Sequence, residues 1–409
     1  MSAQPSSRPG PNLPAATVFS LATLTALAPL GIDMYLAALP GIAQDLATTP
    51  AYTQLTLTAF MLGMGLGQFL VGPLSDKTGR RPPLLIGMAL CTLATLVCFL
   101  APTIEVLVAA RFFMGFTGAI GLVLARAIVA DSSSGLQTAR LMGIMMMING
   151  IAPVVAPLLG GFILAHGSWR QVFLVLAVLL LIILGLVVFF IPESLPADKR
   201  RTGTLLSAYE GIPQVARNRR YRGFMLTLVF AFGGLFAYIS GSPYLLQNVM
   251  GLSETHFTYV FGVNSLGIVL ASSLMTALVG KVALRRLLTL GLSSLLVTSL
   301  ALTLHFLTGP QFVPTLILLF CFTFSVGMVL GNASSLALTQ VREAAGSASA
   351  LLGAAQSLVG GLASPLVALG GESAYLPMAL TMLGFSALAL VCLLTTPRQE
   401  SDYQLEEKP

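Results

Sequence analysis

The sequence predicts an all-α membrane protein with twelve transmembrane helices in two pseudo-symmetric six-helix halves. Three observations predict it. First, 56% of the 409 residues are hydrophobic and only 9% are charged, with a mean hydropathy of +0.89. Soluble domains run near ~25% charged, so a water-soluble globule is excluded. Second, the chain divides into apolar stretches of about 20 residues, the length a helix needs to cross the hydrocarbon. They are uniformly apolar rather than alternating, which disfavours a β-barrel. Third, the cations are unevenly placed. Apart from Arg111, Arg126 and Arg170, the 21 Lys and Arg lie at the termini or in connections that follow even-numbered stretches. Cationic loops stay in the cytoplasm, so both termini are expected there. The same distribution accounts for the net charge of +6 without any nucleic-acid partner.

The elements follow in order. Met1 to Pro14 is polar and proline-rich, so residues 1–15 are expected to be a disordered cytoplasmic segment. Nothing in it resembles a cleaved signal peptide. The first half is expected over 16–191, with spans at 16–40, 52–72, 82–101, 104–130, 138–165 and 169–191. Residues 192–220 are the longest polar interruption and read as a cytoplasmic linker. The second half is expected over 221–395, with spans at 221–247, 255–279, 283–307, 311–338, 345–369 and 372–395. Residues 396–409, with Glu400, Asp402, Glu406 and Glu407, read as a solvated cytoplasmic tail. Two halves around a shared midplane site is the general plan of carriers built from repeats. Gly280 to Arg286 after span eight is a shortened echo of Gly72 to Arg81 after span two.

Chemistry of other kinds finds little support. Cys91, Cys98, Cys321 and Cys392 fall in apolar stretches without metal-ligand spacing and read as packing residues. His166, His256 and His305 sit near the outer ends of spans, far apart in sequence. No nucleophile–base or metal set is evident, so an enzyme is not expected, nor any cofactor.

Asp33 is the informative exception, a carboxylate inside the otherwise uncharged stretch from Val18 to Leu39. Its insertion costs about 2.5–3.5 kcal/mol, and such residues mark ion or substrate pathways. Arg111 in span four lies at a similar depth, so the two can pair. Gly115, Gly118 and Leu122 follow it at i+4, i+7 and i+11 on one face, where glycines admit a close helix. A carboxyl set between apolar surroundings and an arginine can change its proton occupancy with small changes in access.

Span two ends in Gly72-Pro-Leu-Ser-Asp76-Lys-Thr-Gly79-Arg80-Arg81. Gly72 and Gly79 suit tight turns or close helix approach. Asp76 can accept from the first amides of span three or from a guanidinium, and Arg80 and Arg81 can lock onto acids or carbonyls. With Arg126 and Asp131 at the cytoplasmic end of span four, these residues form a candidate inner gate. Span five carries Gly150, Pro153, Pro157, Gly160 and Gly161. Its prolines remove ladder bonds on one side and bend the helix, while its glycines permit tight packing.

Together these motifs resemble the major facilitator superfamily over essentially the whole chain. The 72–81 segment resembles the superfamily's signature loop. Arg111-x-x-x-Gly115 resembles its span-four motif, which the resemblance associates with proton transfer, and the span-five pattern resembles that of its antiporters. Asp33-Met-Tyr-Leu-Ala-Ala-Leu-Pro40 is similar to the span-one signature of the bicyclomycin and chloramphenicol resistance (Bcr/CflA) branch of drug:proton antiporters. Gln54-Leu-Thr-Leu-Thr and Pro192-Glu193 look like that branch too, although it usually has a proline where this chain has Ala37.

The resemblance implies a multi-pass carrier of a bacterial inner membrane. Its expected function is proton-coupled export of small neutral or weakly basic amphipathic compounds of the amphenicol or bicyclomycin type, with Asp33 as coupling acid near Arg111. Export of a natural metabolite, such as a nucleobase, nucleoside or amino acid, is the alternative. Expected partners are the substrate, protons and the bilayer, with a monomer expected because two halves form their own pathway. By depth, candidate substrate contacts are Asp33, Tyr35, Met61, Met146, Asn149, Tyr238, Phe261, Asn264 and Gln356, each of which can equally be a helix-packing residue. So few polar groups argue against sugars and phosphorylated solutes.

Overall fold

The structure is a computed structural model that describes residues 14–202, 209, 211–341, 344–371 and 375–399. The expectations for residues 1–13, for Arg342 and for the acids of the C-terminal tail lie outside these. Among the described residues, twelve helices are long and apolar enough to cross a membrane. The first six are Ala15–Asp45, Pro50–Thr78, Arg81–Leu100, Ile104–Ser132, Gly135–His166 and Trp169–Phe190. The second six are Arg219–Val249, Glu254–Leu278, Leu284–Leu307, Phe312–Thr339, Gly346–Ala368 and Tyr375–Thr395. They are called spans one to twelve, and the side carrying residues 46–49 is called outer, following the charge distribution.

Local chemistry sets the span ends. Span two starts at Pro50, and span three carries prolines directly behind Arg81, positions where a missing amide proton costs nothing. Asn218 caps span seven by accepting from the amides of Arg220 and Tyr221, each at 3.0 Å. Span one is not one continuous helix as expected. It runs Ala15–Asp33, breaks at Met34 and Tyr35, passes through a short 3-10 turn at Leu36–Ala38 and resumes as Leu39–Asp45. Pro40 supplies the reason, since it has no amide proton to continue the ladder. Span two departs the other way. It stays helical through Thr78, so the expected 72–81 loop reduces to Gly79 and Arg80.

Glycines let the bundle close. A methyl group on Gly63 would lie 2.0 Å from the Phe112 carbonyl oxygen, and one on Gly115 2.1 Å from that of Phe60. Spans two and four therefore cross backbone to backbone. In the second half Gly327 of span ten meets the Ile268 carbonyl of span eight in the same way, at 2.4 Å. Outer loops of the first half are tied by Asp45, which accepts from the Trp169 indole at 3.0 Å and pairs with Arg170. Arg170 also donates to the Ala101 carbonyl at 3.2 Å.

The two halves meet along spans two and eleven, from Gln54 inward to Gln68, and at their outer ends. The Thr53 and Tyr244 hydroxyls share a hydrogen bond, Gln247 donates to the Ala37 carbonyl at 3.0 Å, and Gly161 abuts Thr258. Towards the inner end span five faces open space: Gly143 and Gly150 have nothing within 4 Å of an added methyl, and Met146 and Met147 are exposed. The outer side is sealed in this state.

Gly115→Ala and Gly63→Ala are expected to lower the thermal unfolding midpoint of the purified protein, because rigid backbone cannot yield and overpacking costs about 1–3 kcal/mol. Gly72→Ala, with nothing within 4 Å of the new methyl, is expected to leave the midpoint unchanged or raise it slightly.

Candidate functional site

The break in span one builds the centre of the molecule. A helix that stops at Asp33 leaves its last carbonyls without intrahelical partners. Neighbours take them up. A methyl on Gly160 of span five would lie 1.8 Å from the Met34 carbonyl oxygen, so only glycine lets span five seat against the break. Arg111 donates from Nη1 to the Gly31 carbonyl at 2.7 Å, placing a cation at the negative end of the first helical piece.

Asp33 is 6% exposed and is the one buried carboxylate among the described residues. It lies within electrostatic reach of the Tyr238 phenol of span seven. Asn264 of span eight donates to the Tyr238 hydroxyl at 2.9 Å, and Phe261 stacks on the Tyr238 ring at 5.6 Å between centroids. The structure therefore brings together four expected residues, Asp33, Tyr238, Phe261 and Asn264, from both halves. An acid, a phenol, a carboxamide and a flat aromatic wall can hold a proton or an uncharged, partly polar solute.

Arg111 does not pair with Asp33, as their matching depth had suggested. Among the described residues no ion pair within 4.0 Å joins them. The guanidinium is fully buried and lies 4.4 Å from the ring centres of both Tyr35 and Phe60, with Phe173 at 5.8 Å. The planar cation is held by aromatic faces and a backbone carbonyl instead of a carboxylate. Its Nε and Nη2 have no hydrogen-bond partner.

The other expected contacts are dispersed. Tyr35 is fully buried beneath Arg111, its hydroxyl bonded to Thr56, and so belongs to the first half's interior. Met61 packs against Gly361 in the seam between spans two and eleven. Met146 is 76% exposed, while Asn149 and Gln356 are half-buried. Pro153 and Pro157 sit inside a helix that runs unbroken from Gly135 to His166. Gly160 and Gly161 make the close contacts expected of the span-five pattern, whereas Gly150 faces open space. Gly118 makes only ordinary contact with Cys91, at 3.7 Å.

At the inner end the expected gate is present with altered membership. Arg80 bonds Asp76 at 2.5 Å, Asp131 at 2.8 Å and the Ser75 hydroxyl at 2.6 Å. Asp76 takes this guanidinium and leaves the amides of span three alone. Glu193 takes those amides, accepting from Arg80 N at 2.8 Å and Arg81 N at 3.2 Å. Gly79 makes this possible: its φ is +94°, and a methyl there would lie 2.5 Å from Glu193 Oε2. Arg81 reaches the Val188 carbonyl at 2.9 Å, Ser194 donates to Asp131 at 3.3 Å, and Arg200 lies 3.8 Å from Glu193. Burial works against both charges but does not win. Asp131 and Asp76 hold the Arg80 guanidinium above its ordinary pKa. The amides of Leu195, Arg80 and Arg81, with Arg200, hold the Glu193 carboxyl below its own.

Two expected members of the gate drop out. Gly72 lies within the helix and makes no close approach. Arg126 is exposed, and no ion pair among the described residues reaches it. Five residues separate it from Asp131, which places the two about 140° apart around the helix. Glu193, Ser75 and Ser194 were not anticipated. A lone acid just past an apolar stretch, among many cations, was the available signal for Glu193.

Comparison with known proteins agrees with this architecture. The profile of the Major Facilitator Superfamily matches residues 21–365. The MFS-type transporter YdgK of Bacillus subtilis strain 168 is 38% identical over 90% of this chain and 92% of its own length. A bicyclomycin resistance protein homolog of Haemophilus influenzae is 32% identical over 89% of this chain and 92% of its own. Among solved structures, an inward-facing, unoccupied bacterial homolog of the human lysosomal transporter Spinster superposes with a TM-score of 0.71, covering 92% of this chain and 95% of that one at 17% identity. The last likeness concerns the fold alone.

A titration of stability checks the role of Glu193. Its lowered pKa means that the stability it contributes is present above the ordinary glutamate value of 4.5 and is lost as pH falls through the lower folded value. The unfolding midpoint of Glu193→Gln is expected below wild type at neutral pH, with the gap closing as the pH drops under about 4.5.

Proposed function

This chain belongs to the Major Facilitator Superfamily, and within it we propose a proton-coupled exporter of small neutral or weakly basic amphipathic compounds of the amphenicol or bicyclomycin type. The observation that carries this reading is Asp33: the one buried carboxylate among the described residues, set in a helix break where both halves meet. Similarity to the bicyclomycin resistance protein homolog supports the substrate class.

In the proposed cycle Asp33 takes up a proton from the outer side, which weakens the site and releases substrate. After the halves rock, the proton leaves to the inner side and a new substrate enters. Each net charge moved exchanges about 2.3 kcal/mol per 100 mV with the membrane potential, enough to drive a neutral compound uphill. Tyr238, Asn264 and Phe261 contact the substrate. Arg111 maintains the span-one break through the Gly31 carbonyl. The inner network around Arg80 ties spans two and four to the linker, so that the first half rocks as one body. The carrier works as a monomer in a bacterial inner membrane with both termini in the cytoplasm, consistent with the cation-rich inner connections.

Proteoliposomes with an imposed pH gradient test the proposal. Wild type is expected to move labelled chloramphenicol or bicyclomycin against its gradient, and Asp33→Asn to equilibrate it without accumulation. Uphill transport by Asp33→Asn overturns the assignment of the coupling acid. A wild type that moves neither compound overturns the substrate class.

A further inference from the structure

The face of span two that meets span eleven carries Gln54, Thr58, Met61, Gly65 and Gln68, at i, i+4, i+7, i+11 and i+14. Every one of these positions touches span eleven. Ser364 donates to the Gln54 carbonyl at 3.3 Å, and Thr58 donates to the Gly361 carbonyl at 3.0 Å. Met61 packs on Gly361, Gly65 on Ser357 and Gln68 on Gly353. Gln54 is the outermost of the five and therefore lies in the sealed outer seam.

Its side chain has a distinctive position. Gln54 is 0% exposed, and neither its carbonyl oxygen nor its amide nitrogen has a hydrogen-bond partner. The neighbouring hydroxyls are engaged elsewhere. Thr53 bonds Tyr244, Thr56 bonds Tyr35, and Ser364 serves the Gln54 backbone. A buried carboxamide with both ends unmet destabilises whichever state buries it, because the lost water bonds are not replaced. Separation of the outer ends of spans two and eleven returns water to it. The energetic penalty is confined to the closed-outside state.

We propose that Gln54 is a positioning residue for the outward-opening step, its unmet carboxamide biasing the seam to open and so setting how readily the site is exposed to the outside. This rests on the alternating-access reading above. It makes the outer gate self-releasing through a neutral side chain.

Labelling kinetics test it. A reporter cysteine replaces Ala37, which is 2% exposed and bonded through its carbonyl to Gln247 across the seam. The four native cysteines are removed, and a membrane-impermeant maleimide is added outside right-side-out proteoliposomes. Gln54→Leu and Gln54→Met, which remove the unmet groups at similar volume, are expected to slow labelling about tenfold. Gln54→Glu, which retains a polar group in the seam, is expected to label as fast as wild type or faster. A purely structural role moves all three variants in one direction, and that result overturns the proposal, as do unchanged rates in Gln54→Leu and Gln54→Met. Wild type that never labels, and exports nothing in parallel vesicle assays, overturns the alternating-access reading itself.

Discussion

A carboxylate inside a bilayer must be given a polar setting by the protein, and the interrupted first span is where this chain provides it. Stopping the helix at Asp33 frees carbonyls at the same depth, and those carbonyls organise what surrounds them. Arg111 goes to Gly31, Gly160 brings span five against Met34, and Gln247 reaches across the halves to Ala37. The acid lies within electrostatic reach of Tyr238, which Asn264 and Phe261 of the second half hold in place. Because Arg111 is committed to a carbonyl and two aromatic faces, Asp33 has no ion-pair partner among the described residues.

The two ends of the pathway are built from different chemistry. The inner end is a charged lattice in which one guanidinium bridges two spans and the linker acid Glu193 clamps the turn at Gly79. The outer end is closed by hydroxyls, carboxamides and backbone carbonyls, with the ion pair of Asp45 and Arg170 confined to one half. Charged latches are strong when dry and exchange readily when wetted, which suits a cytoplasmic face. Neutral bonds of about 1 kcal/mol each make an outer seam that is easily parted.

Much of the fold was legible in the sequence because bilayer thickness leaves little freedom: apolar runs of the right length have to span. What periodicity could not show was azimuth and backbone breaks. Asp33 and Arg111 were matched in depth, yet depth says nothing about which way a guanidinium turns, and the freed Gly31 carbonyl won it. The same limit removed Arg126 from the gate and left Gly72, Gly118 and Gly150 without the close neighbours their residue type suggested. Asp76, Arg80 and Asp131 were found because opposite charges at helix ends have few alternatives. Glu193 and Gln54 were visible as branch-like residues, but their roles depend on partners far away in sequence.

Export as proposed depends on Asp33 exchanging its proton for substrate. Purified protein in weakly buffered detergent, mixed with substrate above the ordinary carboxylate range and read with a pH indicator, tests this most directly. Wild type is expected to release protons in proportion to bound substrate, and Asp33→Asn to release none. Equal release from both proteins, or substrate binding to wild type with no release at any pH, would contradict it.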